Sequence, residues 1–230
     1  MSTSWVVQSA MCKSCWMTES AINGDLAIQA LLFDLGGVII DFDFERAFRF
    51  WAARASCDPA ELARRFSLDE PYEQHERGEL SASGYFAALR RSLRVSLSDD
   101  DLIAGWNDVY LGVSPGILAM LSIASQRFPL YAFTNSNPTH QSEWSVRFAN
   151  ELSIFEKLFV SSELGLRKPD PEAFSEVASR TGFRLSDFLF FDDTPENVEG
   201  ARAAGMHAVL VQSSSDVRDA LLQLGLKVES

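Results

Sequence analysis

The stretch Ala30-Leu31-Leu32-Phe33-Asp34-Leu35-Gly36-Gly37-Val38-Ile39-Ile40 decides the fold. A short apolar run ends in one carboxylate, passes through two glycines and turns apolar again. Such a run reads as a strand buried on both faces, as in a parallel sheet, with the glycine pair as a tight turn at its carboxyl end. Open α/β sheets bind ligands at that end. Asp34 is therefore a candidate nucleophile or metal ligand.

The chain beyond Ser114 alternates between helix and strand signals. Ser114-Pro115 opens a predicted helix to about Gln126, and 129–133 reads as a strand. Asn137-Pro138 starts the next helix, and 158–160 is a short strand. Asp170-Pro171 caps a helix ending near Gly182, and a strand covers 188–191. Thr194-Pro195 starts a helix stopped by Gly205, a strand covers 208–211, and a last helix runs over 215–224. Repeated β-α-β units predict an α/β fold with a doubly wound parallel sheet.

The segment 43–113 reads as helical throughout. Asp43 caps a run through Arg54, Asp58-Pro59 is a cap with proline in the first turn, and Ser98-x-x-Asp101 forms a capping box. Its aromatics Phe44, Phe48, Trp51, Phe66, Tyr85, Phe86 and Trp106 are expected to form the core of a small helical subdomain. The expected organisation is a core at 26–42 and 114–230, a helical cap at 43–113, and a flexible extension at 1–25. Met17 is an alternative start. Cys12-Lys13-Ser14-Cys15 supplies only two of the four ligands of a structural zinc site, so it is read as part of the tail.

Bulk properties narrow the partners. Of 230 residues, 47% are hydrophobic, ample for a packed core. A net charge of −12 argues against nucleic acid and anionic membranes as main partners. It leaves room for a small phosphorylated metabolite bound by a local cation. Three cysteines make no disulfide framework, no apolar run spans a bilayer, and the N-terminus lacks a positive n-region. The expectation is a cytoplasmic protein, monomeric or homodimeric.

Four strand ends or following turns carry polar residues: Asp34, Thr134-Asn135, Lys168 and Asp192-Asp193. Adjacent parallel strands would bring all of them to one crevice. Carboxylates hold Mg²⁺, which prefers oxygen ligands and neutralises phosphate charge. Thr134 and Asn135 can donate to phosphoryl oxygens, and Lys168 offers a fixed cation that binds phosphate and favours ionised Asp34. Asp34 could then attack phosphorus and form an aspartyl-phosphate.

This ordered set resembles the haloacid dehalogenase (HAD) superfamily. Asp34 matches its first motif, Thr134 its second, Lys168 its third and Asp192-Asp193 its fourth. The insertion after the first strand resembles a C1-type cap. Gln74-His75-Glu76-Arg77-Gly78-Glu79-Leu80-Ser81, Gly165-Leu166-Arg167-Lys168-Pro169 and Phe190-Phe191-Asp192-Asp193 through Asn197-Val198-Glu199-Gly200-Ala201 are similar to bacterial HAD phosphatases acting on α-D-glucose 1-phosphate. The resemblance implies direct Mg²⁺ contact by Asp34 and Asp193, contact by Asp192 directly or through water, and a further ligand from the Gly36 backbone carbonyl. His75 and Arg77 in the cap are candidates for substrate contact.

One departure stands out. Most phosphatases of this superfamily carry a second Asp two residues after the nucleophile, where this chain has Gly36. General acid–base help is typically worth about 10²–10⁴ in rate. Three accounts stay open: a leaving group that needs less help, such as an anomeric oxygen; a substitute acid, with Asp41 and Asp43 nearest in sequence, or a substrate hydroxyl or water; or a weakly catalytic binding or regulatory protein. Capping preference also gives Asp43 a plain role as a helix N-cap. A metal-independent 2-haloacid dehalogenase is the alternative enzyme, disfavoured by the Asp192-Asp193 pair.

Overall fold

A computed structural model describes residues 28–228. The extension read at 1–25, with its cysteine pair, lies outside them. Strand β1 (Ala30–Phe33) is followed by β2 (Ile40–Phe42) and five helices, α1 (Phe44–Ala55), α2 (Pro59–Arg65), α3 (Glu70–Glu76), α4 (Ala82–Leu93) and α5 (Asp99–Asn107). Then come β3 (Tyr110–Val113), α6 (Ile117–Ala124), β4 (Leu130–Thr134), α7 (Pro138–Arg147), α8 (Ala149–Leu152), β5 (Lys157–Val160) and α9 (Ser161–Leu164). The chain closes with α10 (Pro171–Thr181), β6 (Phe188–Asp192), α11 (Pro195–Ala204), β7 (His207–Leu210) and α12 (Ser214–Gln223).

The sheet order is β5-β4-β1-β6-β7, with every pairing parallel. β1 is central, and all four of its residues are fully buried. Side chains alternate along a strand. Leu31 and Phe33 therefore pack on one face with Ile117, Leu121 and Val217, while Ala30 and Leu32 pack on the other with Phe174, Val177 and Val198. This two-sided burial is why β1 is an unbroken apolar run rather than an alternating one.

Helices α1 to α5 form a separate layer with its own core. Trp51 and Trp106 stack at 6.0 Å, and Phe48, Tyr85, Phe86, Leu62 and Leu102 close around them. The Trp51 indole donates to the Leu102 carbonyl, so the ring is buried without an orphaned N–H. Asp43, Asp58 and Ser98 cap α1, α2 and α5 through side-chain acceptors.

Two boundaries differ from the sequence reading. Residues 110–113 are not helical: β3 pairs antiparallel with β2, and this ribbon joins the cap to the core. Three- and four-residue strands are too short for their alternation to register, and each is stabilised by a partner distant in sequence. The helix expected from Ser114 starts only at Ile117, because Gly116 at φ 79 is its N-cap. Ser114 instead donates its hydroxyl to Asp41.

Candidate active site

Parallel register places the carboxyl ends of β1, β4 and β6 side by side, with Phe33 opposite Ala132 on one flank and Phe191 on the other. Asp34 follows β1 directly, Thr134 ends β4 and Asp192 ends β6. The Asp34 amide donates to the Phe191 carbonyl at 2.8 Å, fixing the backbone beside β6. Its Oδ1 accepts from the Leu35 amide at 2.8 Å and lies 2.9 Å from Lys168 Nζ, which orients the carboxylate.

Oxygens of Asp34, Asp192 and Asp193 come within 4.8 Å of one another. Lys168 Nζ reaches Asp192 at 2.6 Å as well as Asp34. It also lies 5.3 Å from the Phe133 and Phe190 ring centroids, so the ammonium is 1% exposed yet fully engaged. Asp192 accepts further from the Thr194 amide and twice from Asn197 Nδ2. Asp193 carries a lighter load, one bond from the Thr194 hydroxyl at 3.3 Å. The turn before it has no room for a side chain: Gly37 lies at φ 74, and a Cβ there would sit 2.1 Å from Asp193 Oδ2. Only glycine adopts that conformation easily and admits that carboxylate.

The electrostatics follow from this packing. Burial raises the Asp34 carboxyl to about 7, with Asp192 and Asp193 adding to the rise and Lys168 opposing it. The expected favouring of ionised Asp34 by Lys168 is thus present but outweighed. Burial and Asp192 likewise raise Asp193. Burial would lower Lys168, but Asp192 and Asp34 hold it above its usual range. Three acids facing one lysine leave excess negative charge in a dry crevice, and an oxygen-preferring divalent cation fits that donor set.

Several predicted site residues have their polar groups bonded to protein partners. Asn135 does not offer its amide to phosphate: Nδ2 donates to the Lys168 carbonyl and Oδ1 accepts the Lys168 amide, both at 2.9 Å. It holds the Lys168 loop instead. Arg77 is spent on Glu70, Glu73 and Glu79 within the cap. His75 is buried, stacked on Tyr85 at 4.9 Å, with Nδ1 2.9 Å from the Leu80 carbonyl. Asp43 caps α1 and pairs with Arg49, and Asp41 accepts from the Ser114 hydroxyl. The Asn135 and Asp41 bonds join segments distant in sequence, which spacing does not reveal, whereas those of Arg77 and Asp43 are local.

A cavity of about 110 Å³ opens between core and cap. Gly36, Thr134 and Asn135 line its core side, and Phe42, Tyr72 and Tyr110 face them. A Cβ built on Gly36 would meet Phe42 Cε1 at 3.1 Å, so a phenyl ring occupies the space into which an acid at position 36 would project. His140 also lines this cavity; it is stacked on Trp106 at 4.7 Å, and burial lowers its pKa to about 3. Sequence reasoning missed Asn197, Phe42 and Tyr72 as parts of the site. The five-residue step from Asp192 to Asn197, at a helix start, was the available signal for the first.

With this geometry in place, comparison with known proteins identifies the family. Residues 28–205 match the model for haloacid dehalogenase-like hydrolases, and the chain belongs to that family. It is 27% identical to Phosphatase MT3486 of Mycobacterium tuberculosis, covering 86% of this chain and 94% of the relative. It is 26% identical to the D-ribitol-5-phosphate phosphatase of Bacteroides thetaiotaomicron, covering 84% and 97%. Among solved structures, a HAD family enzyme, bt-2542, of Bacteroides thetaiotaomicron in complex with magnesium and inorganic phosphate superposes with TM-score 0.70 at 25% identity, covering 81% and 96%.

Proposed function

We propose that this protein is a Mg²⁺-dependent phosphatase of small phosphorylated metabolites, working through an aspartyl-phosphate on Asp34. The observation that carries this reading is the buried Asp34–Asp192–Asp193 cluster clamped by Lys168. Asp34, Asp193 and the Gly36 carbonyl would hold the cation; Asp192, already bonded at both oxygens, would act through water. When bound, the cation neutralises phosphoryl charge that otherwise repels a carboxylate.

Asp34 attacks phosphorus while the phosphorus–oxygen bond to the leaving group breaks, and the electron pair leaves on that oxygen. Lys168 holds the nucleophile and offers positive charge to the phosphoryl group. Thr134, at the end of β4, donates its hydroxyl to a phosphoryl oxygen. Water then opens the aspartyl-phosphate and releases phosphate. No side chain at Gly36 protonates the leaving oxygen, so the site suits an oxygen that leaves with little help. An anomeric oxygen meets that condition, and the apolar face of a sugar ring can lie against Phe42 and Tyr72. The finer reading is therefore a sugar 1-phosphate such as α-D-glucose 1-phosphate. The polyol-phosphate substrate in the name of the Bacteroides relative supports a sugar-like class.

Phosphate release across a panel of metabolites with Mg²⁺ is the test, with α- and β-glucose 1-phosphate and D-ribitol 5-phosphate included. Activity that survives in Asp34→Ala, or in excess chelator, refutes the mechanism. Preference for ribitol 5-phosphate over both glucose 1-phosphates refutes the finer reading alone. A metal-free dehalogenase is disfavoured by the three clustered acids, and chloride release from 2-haloacids without Mg²⁺ would reverse that.

A further inference from the structure

We infer that Glu76 and Arg167 are positioning residues that couple the seating of the cap to the aim of Lys168. Arg167 immediately precedes Lys168 and reaches across the cap–core seam. Its Nη2 and Nε lie 3.0 and 3.1 Å from Glu76 Oε2, and its Nη1 lies 3.2 Å from Glu73 Oε1. Both acids stand on α3, three residues apart, on one helix face.

This is not an ordinary surface ion pair. The side chains are 18% and 4% exposed, and Glu76 is the one buried carboxylate among the described residues of the cap. Burying an acid costs desolvation that its partner only partly offsets, so such pairs make poor stability devices and better devices for fixing one arrangement. Burial raises the Glu76 carboxyl and Arg167 opposes the rise, which is the signature of that compromise.

Two neighbours show what the pair fixes. Gly78, two residues beyond Glu76, sits at φ 71 with its Cα so close to α9 that a Cβ would lie 2.5 Å from the Ser162 carbonyl oxygen. The cap therefore seats on the core at this same point. Tyr72, one turn before Glu76, lines the cavity over Gly36. On the core side, Asn135, just after β4, grips the Lys168 backbone, and from the cap Glu76 grips Arg167, the residue adjoining Lys168. The Lys168 loop is thus held from both sides only while the cap is down. Substrate that seats α3 also completes the phosphate clamp.

The kinetic part of this inference rests on the phosphatase reading; the structural part does not. The experiment compares Glu76→Gln, Arg167→Gln and the double variant with wild type, all with Mg²⁺. Amide hydrogen exchange is measured without substrate, and kcat and KM are measured with acetyl phosphate and glucose 1-phosphate. Coupling predicts loss of protection in 70–80 and 162–170 together. It predicts kcat lower by about 10–100-fold on both substrates, including the one too small to span to the cap. The double variant falls no further than Arg167→Gln, which already removes the bonds to both Glu73 and Glu76. If Arg167→Gln fails to fold, Glu76→Gln, which leaves Arg167 on Glu73, carries the test alone. The inference is overturned if folded Glu76→Gln loosens only the cap segment, changes only KM for glucose 1-phosphate, or keeps kcat on acetyl phosphate within about twofold. If wild type hydrolyses nothing on the panel, the phosphatase reading fails while the exchange data still decide the coupling.

Discussion

Restoring the missing acid is the most direct probe of this site. In Gly36→Asp the new Cβ meets Phe42 Cε1 at 3.1 Å, tighter than ordinary contact. Phe42 is 38% exposed, so the ring can swing out, and Phe42→Ala clears the space entirely. Losing the ring forfeits its edge contact with Phe44, at 5.6 Å between centroids, an interaction worth about 0.5–1.5 kcal/mol. A positioned general acid is worth about 10²–10⁴ in rate, or roughly 2.7–5.4 kcal/mol at 1.36 kcal/mol per decade. The loss falls on stability and the gain on the reaction barrier, so a folded double variant keeps the gain, but only where the leaving oxygen needs a proton. Phosphate release by the double variant should rise at least about tenfold on an alkyl ester such as ribitol 5-phosphate and change little on p-nitrophenyl phosphate, whose phenolate leaves unaided. The assay is steady-state kcat/KM for wild type, both single variants and the double variant on the two esters with Mg²⁺. Equal effects on both esters, or no gain on the alkyl ester in a folded double variant that binds Mg²⁺, would show that the gap at Gly36 does not limit leaving-group departure.

Gly37→Ala drives a Cβ into Asp193 at a backbone φ of 74, so Mg²⁺ affinity by calorimetry should fall by about tenfold or more while the far side of the sheet stays folded. Asn135→Ala frees both Lys168 backbone groups, and kcat should drop by about 10–100-fold with Mg²⁺ binding little changed. Asp34 has a folded pKa raised from 3.8 to about 7, so the folded state binds its proton more tightly, and ionisation removes stability as pH rises through that window. Metal-free Asp34→Asn should therefore gain melting temperature over wild type at pH 8 and lose that advantage by pH 4; an advantage that is constant with pH refutes the electrostatic account. His140 has the opposite sign: held neutral with a pKa lowered to about 3, it withdraws stability as pH falls below 6.5, and His140→Phe should flatten that acid limb in thermal melts.

The catalytic edge was legible because chemistry there contradicts its surroundings. Asp34 and Asp192-Asp193 are charged residues at the ends of apolar runs, whose ends a parallel sheet places together, whereas Lys168 stands past α9 in the loop before α10 and was marked only by its match to the third motif. The cap's aromatic stripe was legible for the same kind of reason: its spacing matches a helix face, and Trp51, Phe86 and Trp106 do form that core. What stayed hidden depends on partners far along the chain. Asn135 bonds a backbone 33 residues away, and Glu76 meets Arg167 across 91 residues. No local pattern marks either as more than an amide after a strand or a charge on a helix. Phe42 was hidden for another reason: flanked by Asp41 and Asp43 just before a helix, a single apolar residue carries no mark of chemistry. The β2–β3 ribbon is shorter than the window in which alternation can be read.

The gap at Gly36 and the electrostatics of the acid cluster bear on each other. Three carboxylates already share the crevice with one lysine, and burial plus mutual repulsion leave Asp34 and Asp193 raised. A fourth carboxylate about 5 Å away would add roughly 3 kcal/mol of repulsion per charged neighbour at an effective dielectric near 20. An acid at position 36 is tolerable only if it stays protonated or if a cation is bound. Glycine at 36, with the Phe42 ring in the space an acid would take, removes that burden. The same exchange restricts the chemistry, because an oxygen that must depart as an alkoxide has lost its proton donor. On the proposed mechanism, a preference for low-pKa leaving groups and the aromatic wall of Phe42 and Tyr72 would be one solution rather than two coincidences. This also sets the direction of the companion measurement on Gly36→Asp: without metal it should melt below wild type near neutral pH, and saturating Mg²⁺ should recover more stability in the variant than in the wild type.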